Sequence, residues 1–362
     1  MTLSPDRILE KALDGERLSV DEGDALFRVD DLAKLGSVAE AVRQKHHPNP
    51  IVTYVVDRNI NYTNVCVSRC LFCAFHRDLD APDAYVLSRE ELFQKIEELL
   101  SVGGTQVLMQ GGLHPELRLD YYCEMVHGIK ERYAIHVHAF SPPEIVHFAR
   151  LEGTTIGEVL HRLQEAGLDT IPGGGAEILV QSVRDRISPR KCTAEQWISM
   201  MRQAHSMGIR TTATMMFGHV ETCADRIEHL RKVRELQDET GGFTAFIPWT
   251  FQPGNTGLPL RSVGGHEYLK TLAICRIFLD NLSNIQASWV TQGAKVGQVA
   301  LRFGANDLGS TMIEENVVRA AGTQFSMTVA EMRRLIGDAG FEPVQRDCYY
   351  EPVVTRSGSV GC

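Results

Sequence analysis

The feature that most narrows the folds open to this chain is an alternation. A short strand-like run, a polar or glycine-rich turn and a helical segment follow one another again and again. Strand-like runs fall at 53–57, 105–109, 135–140, 169–172, 210–217, 244–249, 285–290 and 304–309. The helical segments carry start signals. Ser88 with Glu91 makes a capping box ahead of LFQKIEELL, and Thr193 with Gln196 repeats the device, with Gly208 as its stop. Helical periodicity also runs over 224–239, 267–282 and 329–339. Strands alternating with helices build a parallel sheet covered by helices. Eight such units favour closure into a (β/α)8 barrel of the TIM type; an open doubly wound sheet is the competing arrangement. In a barrel, function collects on the turns that follow the strands. Those turns read NYTNVCVSRCLFC, QGGLHPE, SPPE, GGGAE, GHVE, QPGN, TQG and STMIEEN. Residues 1–50 read as an N-terminal helical cap, 51–347 as the barrel and 348–362 as a loose tail.

Composition excludes some partners. Of 362 residues, 43% are hydrophobic and 23% charged, as in ordinary globular proteins. The formal net charge is -9 and the basic residues are scattered, so no general attraction to nucleic acid or acidic lipid is expected. The first residues lack the apolar core of a signal peptide, and no apolar window approaches the length of a membrane span. The expectation is a cytoplasmic protein. Nine cysteines are too sparse, and odd in number, for a disulfide framework.

Three of those cysteines stand apart from the rest. Cys66, Cys70 and Cys73 form a C-x3-C-x2-C arrangement in the turn after the first strand. Thiolates are soft ligands suited to iron–sulfur clusters or zinc. Electron-transfer [4Fe-4S] clusters take four cysteines, and structural zinc takes four ligands. Three thiolates leave one cluster iron open for a substrate or cosubstrate. A zinc site completed by His76 is the alternative that spacing alone allows.

With Phe72 directly before the third cysteine, this loop resembles the hallmark of the radical S-adenosylmethionine (SAM) superfamily. The resemblance implies a (β/α)8 barrel of the radical SAM kind. It also implies a [4Fe-4S] cluster whose open iron chelates SAM, and an electron that splits SAM into methionine and a 5′-deoxyadenosyl radical. The stretch that receives the SAM amino group corresponds to Gln110-Gly111-Gly112, where Gln110 replaces a glycine and Leu113 a glutamate of the family pattern. Glu177 matches the carboxylate that bonds the SAM ribose, and Arg184 is the expected partner of the SAM carboxylate. The glycine-containing pattern after the fifth strand falls on 214–221, with Met216 against adenine and Gly218 and Glu221 matching. Cofactor contacts are therefore expected at Phe72, Gln110, Gly111, Gly112, Glu177, Arg184, Met216 and Gly218.

The stretches RNINYTNVC, HAFSPPE, PGGGAEIL, TATMMFGHVET, PWTFQPGNT and NIQASWVTQG narrow the resemblance to the dehypoxanthine futalosine cyclases of menaquinone synthesis. Aminofutalosine synthases and the enzymes building the deazaflavin F420 chromophore are near by pattern. The likeness implies dehypoxanthine futalosine as small-molecule substrate and a flavodoxin or ferredoxin as electron donor. The radical would take the ribose C4′ hydrogen, the resulting carbon radical would close onto the benzoate ring, and loss of an electron and a proton would restore aromaticity. Such chemistry needs a dry, preorganised pocket and a base. Strand-end candidates for that pocket are Asp57, Asn61, Tyr62, His138, Ser141, His219, Glu221, Gln252, Asn255 and Thr291. His138 and Glu221 are the expected catalytic pair, and Arg58 or Arg77 the candidates for the substrate carboxylate.

Overall fold

The structure, a computed structural model, describes residues 4–323 and 325–353. Three helices come first: α1 (Pro5–Leu13), α2 (Val20–Leu26) and α3 (Leu32–His46), capped by the side chains of Ser4, Ser19 and Asp31. α2 lies against the helix Cys223–Thr240 and α3 against the helix Gly265–Phe278, outside the sheet. Both capping boxes read from the sequence, Ser88–Glu91 and Thr193–Gln196, are formed, so each helix starts where its own side chains satisfy its first backbone donors. Among the described residues no helix is long and apolar enough to cross a membrane.

The strands are β1 (Ile51–Val55), β2 (Asp57–Ile60), β3 (Gln106–Met109), β4 (His136–Ala139), β5 (Thr170–Ile171), β6 (Arg210–Phe217), β7 (Phe243–Thr250), β8 (Asp307–Ser310) and β9 (Glu342–Gln345). β2 to β7 form one sheet in sequence order, and β8, β1 and β9 form another; every pairing is parallel. β1 and β2 are one stave bent at Val56, whose carbonyl still accepts from Thr105 N at 3.1 Å. The bridges Phe246↔Ile285 and Gln286↔Asp307 join β7 to β8 through an extended step. The ring thus closes, and the (β/α)8 barrel replaces the open-sheet alternative.

Two expectations change in detail. The run at 285–290 keeps only its first two residues as a stave. From Trp289 the chain turns helical, anchored by Trp289 Nε1 donating to the Ser310 carbonyl at 3.0 Å. β9 adds a strand beside β1 that alternation did not announce. After it, Cys348 is buried and Tyr350 lines the barrel interior, although both fall in the segment expected as a tail; 354–362 lie outside the described residues.

Closure between β7 and β8 rests on two isolated bridges, and a buried cation reinforces it. Arg276 is fully buried; its Nε donates to the Gly304 carbonyl (2.7 Å), Nη1 to Ser283 (2.9 Å) and Leu282 (3.2 Å), and Nη2 to Asn306 Oδ1 (2.7 Å). Asn306 Oδ1 also accepts from Ile285 N at 2.9 Å. One guanidinium therefore ties both closing segments.

Inside the ring, alternate residues of the staves face a cavity of about 260 Å³. Asp57 sits low in it, accepting from Ser310 Oγ and from Gln106 Nε2 at 3.1 Å. Burial outweighs those bonds and the nearby Arg346, pushing the Asp57 carboxyl up to about 6.

Arg276→Met is expected to cost about 3–5 kcal/mol in urea unfolding, since several buried acceptors lose their donor at about 1–3 kcal/mol each. An unchanged midpoint would show that the bridges close the ring unaided. Asp57 holds its proton more tightly folded than unfolded, so its contribution is complete below about pH 4 and is lost as pH rises through 6. By pH 7 that loss reaches about 3 kcal/mol, at about 1.4 kcal/mol per pKa unit. Asp57→Asn should flatten the fall in stability between pH 4.5 and 7 relative to the parent protein.

Candidate active site

β2 ends at Ile60 and hands the chain to the loop 61–87, which carries the three cysteines. Neighbouring backbone pins that loop. Cys66 N donates to Arg77 O (3.0 Å), Val67 N to Leu113 O (3.0 Å), Leu71 N to Ile187 O (2.8 Å) and Cys73 N to Cys70 O (3.1 Å). Gly112 lies so close that a Cβ there would stand 2.1 Å from the Val65 carbonyl, so only glycine fits. Cys66 and Cys73 are half-buried and Cys70 is buried, with Ser68 Oγ 3.2 Å from its sulfur. Burial pushes the Cys70 thiol up to about 11 and raises Cys66 as well.

The donor chemistry fits a cubane better than a single ion. Among the described residues no three His, Cys, Asp or Glu side chains converge as a mononuclear centre requires, and His76 turns Nδ1 to the Cys73 carbonyl at 2.8 Å. A cubane asks for no such convergence, because each thiolate meets a different iron. No fourth cysteine shares the loop, so a cluster held here would have one iron without a protein sulfur.

Beside the loop stands a buried ion pair. Glu177 has φ +41°, a left-handed backbone uncommon outside glycine, and its carboxylate accepts from Lys191 Nζ. Burial would raise Glu177, but Lys191 and Arg184 bring it below the usual range. Lys191 Nζ also lies 5.1 Å from the centroid of the Phe72 ring, tying the cysteine loop to the GGGAE turn. Arg184 corrects the sequence expectation. Its Nη1 donates to the carbonyls of Gly175 (3.1 Å) and Ala176 (2.6 Å) and its Nη2 to Cys192 (2.6 Å), so it holds the turn that carries Glu177. Lys191, which the motifs did not single out, is the ammonium that faces Glu177.

In the turn after β3, Gly111 N donates to Glu144 Oε1 (3.0 Å) and Gly112 N to Thr63 O (3.0 Å). Neither glycine's carbonyl meets a described donor, so both remain able to accept from an ammonium. Gln110 gives its carbonyl to Asn61 Nδ2 at 3.0 Å. Glu144 was missed as a single residue, although SPPE is a capping-box signature. Its buried carboxylate accepts from Tyr62 Oη, Gly111 N, Ser141 N (2.7 Å) and Ser141 Oγ (2.5 Å), fastening the turns after β2, β3 and β4. Tyr62 and Ser141 are thereby part of the frame.

After β6, Gly218 has φ +89°, and a Cβ would meet Val263 at 2.0 Å. Met216 continues the face of Thr212 and Thr214 and lies buried at its upper end. Glu221 corrects a second expectation. Its carboxylate accepts from Gly218 N (2.6 Å) and His219 N (2.9 Å) and pairs with Arg226 at 2.9 Å, with no exposed surface. It staples the turn and lines no described cavity. His219 likewise spends Nε2 on the Met216 carbonyl (3.1 Å) and Nδ1 on Val220 N (2.7 Å).

The barrel cavity takes residues from the staves or from the segments directly after them, among them Asn59, Gln110, His138, Pro172, Thr214, Trp249, Ser288 and Ser310, above a floor of Arg346, Cys348 and Tyr350. His138 Nδ1 lies 2.7 Å from Thr170 Oγ1, the hydroxyl that also meets His136 Nε2 (2.7 Å) and Cys348 Sγ (3.3 Å). Burial, with His136 and Arg346 nearby, pushes His138 down to about 3, so the ring is neutral at pH 7. Thr291 lines the cavity and bonds Ser288 Oγ at 2.9 Å. Gln252 and Asn255 instead hold the segment around Ala320 and Thr323. Arg58 pairs with Glu98 (2.6 Å) and Glu314 (2.8 Å), and Arg77 with Asp83 (2.6 Å), so neither reaches the cavity as a free cation. Asn59 and Trp249 are lining residues that the sequence analysis did not single out, although RNINYTNVC and PWTFQPGNT contain them; strand parity, read from Asp57 and from Ile247, is the signal that points to them.

Residues 60–233 match the radical SAM superfamily, and residues 240–357 match the CofH/MqnC C-terminal region. The cyclic dehypoxanthine futalosine synthase of Halalkalibacterium halodurans is 48% identical, over 98% of this chain and 96% of that protein. The 5-amino-6-(D-ribitylamino)uracil--L-tyrosine 4-hydroxyphenyl transferase of Methanopyrus kandleri is 43% identical, over 97% of each. In fold, methylornithine synthase superposes with a TM-score of 0.74 at 18% identity, covering 93% of this chain and 97% of its own. With the three-cysteine loop at the mouth of a closed barrel and such likeness along nearly its whole length, this chain belongs to the radical SAM superfamily.

Proposed function

We propose that this chain cyclises dehypoxanthine futalosine to cyclic dehypoxanthine futalosine on the way to menaquinone. Cys66, Cys70 and Cys73 hold a [4Fe-4S] cluster in this reading, and SAM is consumed as cosubstrate. The 48% identity to the futalosine synthase over 98% of the chain carries the choice of substrate. The cluster and SAM, when bound, supply a 5′-deoxyadenosyl radical at the top of the cavity. A flavodoxin or ferredoxin supplies the electron, in the cytoplasm.

This chain's own residues do the remaining work. The carbonyls of Gly111 and Gly112 accept from the SAM ammonium, and Glu177, oriented by Lys191 and by the Arg184-braced turn, receives the ribose hydroxyls. Phe72, Met216 and Gly218 shape the rim, with Gln110 just inside it. The barrel walls keep water from the substrate while its ribose carbon meets the radical at contact distance. Once the ring has closed, the six-membered ring must shed a proton and an electron to become aromatic, the electron returning to the cluster oxidised in splitting SAM. His138 is the proton acceptor: it lines the cavity, and its Nδ1 is occupied by Thr170, leaving Nε2 for the substrate. Burial makes it a weak base, which suffices because the oxidised ring is a strong acid until it becomes aromatic. Glu221 acts at one remove, as a positioning residue for the turn that carries Gly218.

Anaerobic turnover of dehypoxanthine futalosine should give the cyclic product with 5′-deoxyadenosine and methionine. Turnover of tyrosine with a ribitylaminouracil, and none of the futalosine, would assign the chain to the transferase reaction instead. Cys70→Ala should lose both the cluster absorbance and SAM cleavage. His138→Asn should lower cyclic product about 100-fold, within the range usual for a lost general base, while 5′-deoxyadenosine is still released. Because burial holds His138 neutral down to about pH 3, kcat should show no acid limb near pH 6.5. Such a limb, absent in His138→Asn, would refute the buried-base assignment.

A further inference from the structure

Two carboxamide oxygens at the cavity wall, on Asn59 and Gln106, have nothing to bond among the described residues. Charged side chains at its wall are already matched: Arg346 lies 2.5 Å from Asp307, and Glu315 accepts from the backbone N–H groups of Val317 (3.1 Å), Val318 (2.8 Å) and Arg319 (3.0 Å). Asn59 differs from both. It is 4% exposed, and its carboxamide has no protein partner among the described residues. One layer lower on the neighbouring stave, Gln106 gives Nε2 to Asp57 and keeps a buried Oε1 without a donor. The register pairs Asp57 with Gln106 and Asn59 with Leu108, so the two carboxamides are diagonal neighbours on one inward face, about 7–8 Å apart at the backbone. Buried acceptors without donors are rare and costly, and two adjacent ones inside one cavity point to a ligand that supplies donors.

We propose that Asn59 and Gln106 determine specificity by binding a vicinal diol, the ribose hydroxyls of the substrate; this rests on the futalosine reading above. Two neighbouring hydroxyls donate to Asn59 Oδ1 and Gln106 Oε1, and one of them accepts from Asn59 Nδ2. That set satisfies both carboxamides. No hydrogen bond holds the Asn59 amide in its present rotation, so it can turn to the ligand at small cost. The hydroxyls therefore lie against the β2–β3 wall, with the ribose between that wall and the mouth where the radical is supplied.

The test compares dehypoxanthine futalosine with analogues lacking one ribose hydroxyl at carbon 2 or carbon 3, in the holoenzyme. Wild-type protein should show a KM 10- to 100-fold higher for at least one deoxy analogue, as expected when a buried polar group loses its partner. Asn59→Leu should raise KM for the full substrate by a similar factor and no longer distinguish it from that analogue. Equal KM values for all three compounds in the wild-type protein would overturn the diol site while leaving the cyclisation intact, and need no variant to fold. Full discrimination retained by both Asn59→Leu and Gln106→Met would overturn it equally. If the wild-type protein does not turn over the parent substrate, the reaction assignment falls and takes the diol site with it.

Discussion

A ring of parallel strands is only as sound as its weakest joint, and here that joint lies between β7 and β8. Elsewhere, adjoining strands share continuous pairing or, at β5, are held by packed neighbours. At residues 285–286 the ring has single bridges on each side. Arg276 answers that weakness from outside the sheet, delivering donors to four acceptors on the two segments that must meet. The cost of burying a guanidinium is offset because it makes no ordinary ion pair: it completes backbone that would otherwise be unsatisfied. Everything above the sheet depends on this closure, since an open ring would leave the cavity wet and the cysteine loop without an opposing wall.

The same logic repeats at the mouth of the barrel, one level up. Three buried side chains, Glu144, Arg184 and Glu221, each bond main-chain groups of the turns after the strands. Turns rich in glycine have little of their own to hold them, so charged side chains serve as their scaffolding. These groups are thereby committed to positioning, and the cavity beneath is left largely apolar. That division suits radical chemistry. A carbon radical is indifferent to charge but sensitive to any stray hydrogen donor or water, so exclusion and orientation matter more than fields.

Much of this was legible in the sequence. Alternation of strands and helices, the two capping boxes and the placement of the cysteines after the first stave follow from local rules, because each depends on neighbours within a few residues. What escaped depends on distant partners. Nothing near Arg184 says that the carbonyls of Gly175, Ala176 and Cys192 will use up its terminal donors. Nothing near Glu221 says that it folds back onto its own turn rather than into the barrel; a carboxylate three residues after a left-handed glycine is ambiguous until the turn closes. β9 was invisible for a different reason: PVQ is too short and too polar to read as a strand, and it exists because β1 offers a free edge. Lys191 lies outside every motif, and Asn59, though inside RNINYTNVC, carries no role there; strand parity from Asp57 places it on the inward face.

The departures from the family pattern then become intelligible in steric terms. Gln110 and Leu113 stand where the pattern has other residues, and in the proposed reading the departure is tolerated because the carbonyls of Gly111 and Gly112, not the side chains, would accept from the SAM ammonium. Gly112 is a different matter: a methyl group there would strike the Val65 carbonyl and push the cysteine loop off the barrel. Glu177 belongs with it, because its left-handed backbone is maintained against its own preference by Lys191 in front and the Arg184-braced turn behind. In this mouth, then, the residues least open to change are those that fix the distance between two backbones, and the side chains that advertise chemistry are held where they are by others that do not.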